Sequence, residues 1–447
     1  MTATHQHSAA NAWRDLWSIR PGVTYLNHGS FGPTSRAVSA ARNEWSARLE
    51  SEPMDFYVRQ LEGHLDAARS RVADVFGTRG DRLLFVDNAT YGMNIVANSF
   101  PLSAGDEVLA TNQEYGAVLR IWRERCKAVG AQLVVPKLPE TFRDRDEVVA
   151  AVMGGVTDRT RLIVISHITS PTALILPVAE ICARARERGV RVCIDGPHAL
   201  AAVPVRLDDL GCDFYCASGH KWLTAPLGSG FLYVHSRWQQ VVRPLVVSWG
   251  NSLSGRPHSW QDEFVWSGTR DAAAVLSTPA AIDFFANLPE MPLLTNAASH
   301  SPTSMATTAT SNAEPRRSPA RVDEGDWSKT TTGREPGIHR FRTHSHCLVA
   351  AARSAVAAVT ETEPIGTPEW YGTMASLPLP DWVSETPHGH MHPIQAALWE
   401  QYRIEIPVTS WNGRRHLRVS CHLYNTLAEI EYLADALRAI LRARIGA

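Results

Sequence analysis

Between positions 82 and 217 the chain alternates between short aliphatic runs and longer amphipathic ones, and that alternation leaves little choice of fold. Residues 83–86, 107–111, 132–136, 161–167, 190–194 and 214–217 read as strands, and 91–99, 116–129, 146–154 and 178–188 as the helices between them. Strands that are apolar throughout bury both faces. The pattern therefore predicts an α/β fold, a large domain with a mostly parallel central sheet covered by helices. A further strand over 230–234 follows a Pro/Gly-rich turn.

The flanks read differently. Residues 1–24 suggest a polar N-terminal arm with one short helix over 10–19. Pro33 suits the first turn of a helix running to 51, and a second helix over 56–76 closes at Gly77, a natural C-cap. The large domain is expected to span 25–287. From 288 to 336 the sequence is rich in Ser, Thr, Ala, Pro and Asn with almost no aliphatic residues; such a stretch buries too little apolar surface to offset its ordering entropy, so a disordered insertion is expected. A smaller C-terminal α+β domain over 337–447 follows. It has a helix over 340–359, a strand near 371–379 and a helix over 393–402. Strands over 404–408 and 416–420 are read as a hairpin whose turn carries Asn412-Gly413. Leu427, Ile430, Leu433, Leu437 and Leu441 form the apolar stripe of a last helix.

Charge narrows the function classes. The chain has 44 Lys and Arg against 45 Asp and Glu, a balance that gives no sign of a nucleic-acid or membrane-surface protein. No run approaches membrane-spanning length. Seven cysteines, odd in number and without zinc-type spacing, read as a reduced cytoplasmic protein. His388-Gly-His-Met-His392 has no accompanying carboxylates and is read as a loop rather than a metal site.

One cation stands out. Lys221 follows Phe214-Tyr-Cys-Ala-Ser-Gly-His220 and precedes a second apolar strand. A lysine framed this way is either a surface residue at a strand end, or desolvated with a shifted pKa, or covalently engaged, as Schiff-base chemistry with an aldehyde cofactor requires. Four other stretches bear on the choice. Asn88-Ala89-Thr90 lies between a strand and a helix start, where free N–H groups make either a phosphate site or an ordinary N-cap. Asp195, at the carboxyl edge of a strand, could pair with a protonated pyridine nitrogen or cap a helix, and His198 follows three residues on. Tyr115 could stack on a cofactor ring or sit in the core. Arg418, inside an apolar strand, needs an anion: a substrate carboxylate or a structural ion pair.

The motifs LNHGSFGP, EPMDF, EYGA, SHITSPTALILP, DGPHA, CDFYCASGHKWL, SWG, WSGTRD and LRVSCHLYNT, in that order, resemble the class V branch of fold-type I pyridoxal-5′-phosphate (PLP) enzymes, and within it the isopenicillin N epimerase-like group. The resemblance covers roughly 25–426, except the polar insertion. It implies that Lys221 carries PLP, that Asp195 pairs with the ring nitrogen, that His198 lies near the ring oxygen and that Tyr115 takes the ring-stacking place. Ala89, Thr90, Ser218 and His220 would hold the phosphate. Thr269 would reach the phosphate of a neighbouring subunit, which implies a homodimer. Arg418 would bind the α-carboxylate of an amino-acid substrate, with Asn27 and His28 lining the substrate side. Ala173 stands where relatives usually have glycine. The stretch 409–415 lacks the nucleophilic cysteine of the branch's desulfurases.

The chemistry so implied is loss of the Cα proton from an amino acid held by PLP. Return of the proton on the opposite face gives an epimerase or racemase. Loss of a β-substituent gives a C–S lyase, and reprotonation on the cofactor gives an aminotransferase.

Overall fold

In the computed structural model, which describes residues 11, 13–289, 336–387 and 389–445, the chain enters through a two-residue strand β1 (Thr24–Tyr25) and then builds a sheet of seven. These are β2 (Leu83–Val86), β3 (Glu107–Ala110), β4 (Gln132–Val134), β5 (Thr160–Ser166), β6 (Arg191–Asp195), β7 (Phe214–Ser218) and β8 (Gly230–Val234), in spatial order β2-β8-β7-β6-β5-β3-β4. Pairing is parallel from β4 through β7, and β8 runs antiparallel to both its neighbours.

The continuous apolar runs follow from what covers each face. Leu84, Val86, Val108, Val164, Cys193, Cys216 and Leu232 point into a core with Met93 and Trp122 of the helices Ala89–Ser99 and Gly116–Val129. Their neighbours Phe85, Leu109, Ile163, Ile165, Ile194, Tyr215 and Phe231 point to the opposite face, against Val72, Ile181 and Ile282. Successive residues of a strand alternate faces, so a strand covered on both sides must be apolar at every position. Helix Ala89–Ser99 starts at Asn88, whose side chain accepts from the Tyr91 N–H. Helix Gly116–Val129 stops at Gly130 in the left-handed region, as a glycine C-cap allows.

The C-terminal part has its own apolar cluster. A sheet of β9 (Met374–Pro378), β11 (Val408–Trp411) and β12 (Arg414–Ser420) runs antiparallel in the order β11-β12-β9; the intervening strand β10 (Ile404–Glu405) pairs in parallel with β1. The helices Pro336–Thr360 and Leu427–Arg442 cover it. A Thr426–Glu429 capping box starts the last helix.

Three readings of the flanks need correction. Pro33 stands before the helix rather than in its first turn, because Ser35 caps Arg36–Ser51 by accepting from the Val38 N–H. The expected single hairpin over 404–420 is two pairings, because Pro407 lacks an N–H and breaks the first strand, so only Val408–Trp411 joins β12. The Asn412-Gly413 turn itself is as expected, both residues having positive φ (46° and 73°), which the two-residue hairpin turn demands. The expected helix over 10–19 is a single 3-10 turn, Arg14–Leu16. Trp13 and Trp17 anchor it in the main core, so the described part of the arm is packed rather than free. The expected insertion lies, over 290–335, outside the described residues, as does His388. His392 accepts from the Ile394 N–H and caps the helix Pro393–Tyr402. No helix among the described residues is long and apolar enough to cross a membrane.

Candidate active site

The carboxyl ends of β5, β6 and β7 end in polar side chains: Ser166, Asp195 and Ser218. The parallel register sets Ser166 beside Asp195. This edge of an open α/β sheet is where ligands bind. Here it opens into a cavity of about 590 Å³ lined by residues of both sheets and of the loops between them. Lys221, Asp195, His198, Ser218, His220, Ala89, Thr90, Tyr115 and Arg418 all line it.

Lys221 follows β7 by three residues. Its Nζ lies 3.0 Å from His198 Nε2. As a residue it is only half-buried, opening onto the cavity, but protein surrounds its amine. Burial, reinforced by the Arg418 charge and opposed by Asp195, brings its pKa down to about 7. Asp195 is buried, and desolvation raises it to about 7 against the pull of Lys221. His198, three residues beyond Asp195, is buried and driven well below its ordinary value, first by burial and then by the Lys221 charge. Its Nδ1 has no hydrogen-bond partner among the described residues.

Arg418 is a strand residue of β12 that is 5% exposed. It makes no ion pair among the described residues. One terminal nitrogen donates to the Ser170 carbonyl (2.7 Å) and hydroxyl (3.2 Å), the other to the Ser30 hydroxyl (2.7 Å), and its Nε is unpartnered. Burial lowers its pKa to about 10. A buried guanidinium held only by neutral groups, at the wall of a cavity, is a site for an anion.

The opposite end of the cavity is built around the first turn of helix Ala89–Ser99. Three of its first N–H groups are satisfied within the chain, Ala89 by Ser218 Oγ (2.9 Å), Tyr91 by the Asn88 side chain and Gly92 by the Asn88 carbonyl; Thr90 carries the fourth. Because Ser218 Oγ accepts from Ala89, its own proton is free to donate into the cavity. His220 Nδ1 is buried and has no partner among the described residues. The Asn88 cap and the polar pocket thus coexist. A phosphate is suited to this end: a helix N-terminus, a hydroxyl and an imidazole converge without a resident anion. An aldehyde is suited to Lys221 and a protonated ring nitrogen to Asp195, so the residues present fit PLP.

Two expected site residues stand elsewhere. His28 is fully buried, with its ring nitrogens engaged by the Tyr424 hydroxyl and the Lys221 carbonyl (2.9 Å each), and it does not line the cavity. Asn27 is also buried and bonds Glu405. Gly29, Ser30 and Phe31 of the same motif line the cavity instead, because the chain turns inward after His28. Thr269 is exposed and is not brought to the cavity by its own chain. Sequence reasoning missed Ser30 and Ser170, which hold Arg418, although both lie in the quoted motifs. It also missed Glu114. That carboxyl is buried, accepts from Thr111 Oγ1 (2.6 Å) and Ser166 Oγ (2.5 Å), and is raised to about 7 by desolvation.

The profile of the family described as Aminotransferase class-V matches residues 33–312. The chain is 34% identical to an isopenicillin N epimerase of Amycolatopsis lactamdurans over 96% of its own length and 99% of that protein's. It is 28% identical to a putative L-cysteine desulfhydrase of Oryza sativa subsp. japonica over 97% of its length and 86% of the other's. Among solved structures, a C-DES mutant with glycine covalently linked to its PLP cofactor superimposes with a TM-score of 0.70 at 20% identity, covering 94% of this chain and 97% of that one.

Proposed function

Starting from the fact that the chain belongs to the class V aminotransferase family of PLP-dependent enzymes, we propose that it is an amino-acid epimerase or racemase acting at Cα of an α-amino carboxylate. Its fold is fold type I and its cofactor is PLP. When bound, PLP supplies an electron sink that acidifies the Cα–H bond.

The chain's own residues would do the rest. Lys221 would hold the aldehyde and, once displaced by the substrate amine, take the Cα proton at Nζ; a pKa near 7 leaves the amine available as a base at neutral pH. Asp195 would keep the ring nitrogen protonated, and His198 would lie beside the lysine and the ring oxygen. Ala89, Thr90, Ser218 and His220 would hold the phosphate, and Tyr115 would wall the ring. Arg418 would exchange Ser30 and Ser170 for the substrate carboxylate, a charged acceptor that binds a guanidinium bidentately. That exchange fixes which bond at Cα faces Lys221. Thr269, exposed in its own chain, would serve the phosphate of a second copy in a homodimer.

The observation that carries this reading is the unpaired Arg418 in the same cavity as Lys221 and Asp195. The similarity to an isopenicillin N epimerase over 96% of the chain favours epimerisation among the possible outcomes. A C–S β-lyase is the second reading, favoured by the similarity to a desulfhydrase. No cysteine lines the cavity, so in that case the substrate itself would carry the departing sulfur. The test is incubation of the PLP-loaded protein with a panel of α-amino acids in deuterium oxide. Deuterium at Cα with inversion and retention of the amine supports the epimerase. Release of ammonia with a keto acid supports the lyase and sinks the first reading.

A further inference from the structure

Two buried histidines grip consecutive carbonyls of the Lys221 turn. His28 Nε2 lies 2.9 Å from the Lys221 carbonyl, and His422 Nε2 lies 3.5 Å from the Trp222 carbonyl. A carbonyl can only accept, so both Nε2 atoms carry the proton. The other nitrogens agree: His28 Nδ1 accepts from the Tyr424 hydroxyl (2.9 Å), and His422 Nδ1 accepts from the Leu423 N–H (2.9 Å). The two rings stack at 4.2 Å and 24°, and His28 stacks in turn on the Trp222 indole at 5.2 Å. Burial holds His28 neutral, so the pair fits without like-charge repulsion.

The chain is shaped around this arrangement. At Gly32 a Cβ would sit 2.5 Å from His28 Nε2 and 2.6 Å from the His220 carbonyl, so no side chain fits there. His28 lies just beyond β1 and His422 just beyond β12, four residues after Arg418.

We propose that His28 and His422 form a double imidazole clamp on the Lys221–Trp222 backbone, fixing the lysine that holds the cofactor relative to the strand that carries Arg418. Neither ring reaches the cavity, so both are positioning residues. The clamp keeps Nζ at one distance from the position that the Arg418 guanidinium sets for the substrate. This rests on Lys221 being the residue that holds PLP.

The test compares the rate of PLP loss from holoenzyme during dialysis, the circular dichroism of the bound cofactor, and thermal melting of the cofactor-free protein. His28→Phe keeps the stack and removes the donor, whereas His28→Gln keeps a donor for the Lys221 carbonyl. The expected result is that H28F folds but melts lower than wild type, because the buried Lys221 carbonyl and Tyr424 hydroxyl lose their partner, and that it loses PLP at least tenfold faster with an altered dichroic band. H28Q should stay within threefold of wild type. The clamp is overturned if H28F retains PLP and its dichroism unchanged, or if H28Q behaves as H28F does. Should H28F fail to fold, His422→Phe decides: it removes the donor to the Trp222 carbonyl while keeping a ring in the stack, and it should speed PLP loss about threefold; a wild-type rate and spectrum there would overturn the clamp. A wild-type protein with no bound PLP would instead sink the cofactor role of Lys221.

Discussion

Replacing Lys221 with methionine should stabilise the cofactor-free protein, and should do so most at neutral pH and below. In the folded chain the amine is held at about 7 against an ordinary 10.5. A lowered lysine pKa means that the folded state binds fewer protons than the unfolded state between those values, so stability falls as pH drops through this window. The cost is complete below about pH 7 and absent above about 10.5. At about 1.4 kcal/mol for each pH unit it amounts to about 5 kcal/mol, an upper bound because the cavity mouth admits solvent. Methionine matches the lysine stem and removes that cost, while losing the contact with His198, worth about 1 kcal/mol. A net gain of about 2–4 kcal/mol at pH 7 follows, shrinking towards zero or below by pH 10. Urea midpoints of the cofactor-free wild type and variant at the two pH values check it. A gain that does not change with pH, or a loss at pH 7, would refute the claim that the site stores desolvation at this amine.

Other outcomes follow from the same geometry. Arg418→Met should raise the concentration of amino acid needed for a spectral shift at least a hundredfold, about 3 kcal/mol, while PLP binding persists; absorbance titration reads both. Ala173 is buried with φ 60°, a left-handed conformation that disfavours a Cβ by about 1–2 kcal/mol. Ala173→Gly, partly offset by the flexibility glycine adds to the unfolded chain, should therefore leave the melting temperature equal or slightly higher, and a clear fall in the scan would contradict that strain. The wild type should sediment as a dimer of 49.2 kDa chains, and Thr269→Ala should speed PLP loss from it; a monomer in the centrifuge, or unchanged retention, would argue against a contact across subunits.

Much of this was legible because it depends on neighbours in sequence. The doubly covered sheet announces itself in runs such as Leu83-Leu-Phe-Val86, apolar at every position because both faces are buried. Asp195 and Ser218 end strands of the same sheet, so their convergence with Lys221 follows once the sheet is drawn. The hairpin over 404–420 was misread because the Asn412-Gly413 signal is local, whereas the departure of Ile404–Glu405 to β1 is a contact across 380 positions. His28 was misplaced for a related reason. A motif fixes the order of residues, not which of them turns inward, and the burial of His28 depends on Tyr424 and His422 from the far end of the chain. Glu114 was invisible because its two donors, Thr111 and Ser166, come from the ends of separate strands.

Lys221 should be the residue that bears the cofactor. Borohydride reduction of the PLP-loaded protein fixes the cofactor to whichever amine holds it, and peptide mass spectrometry then locates it. The pyridoxyl group should be found on the peptide containing Lys221, with the visible absorbance band abolished in Lys221→Ala. A label on another lysine, or a visible band that survives in Lys221→Ala, would contradict it.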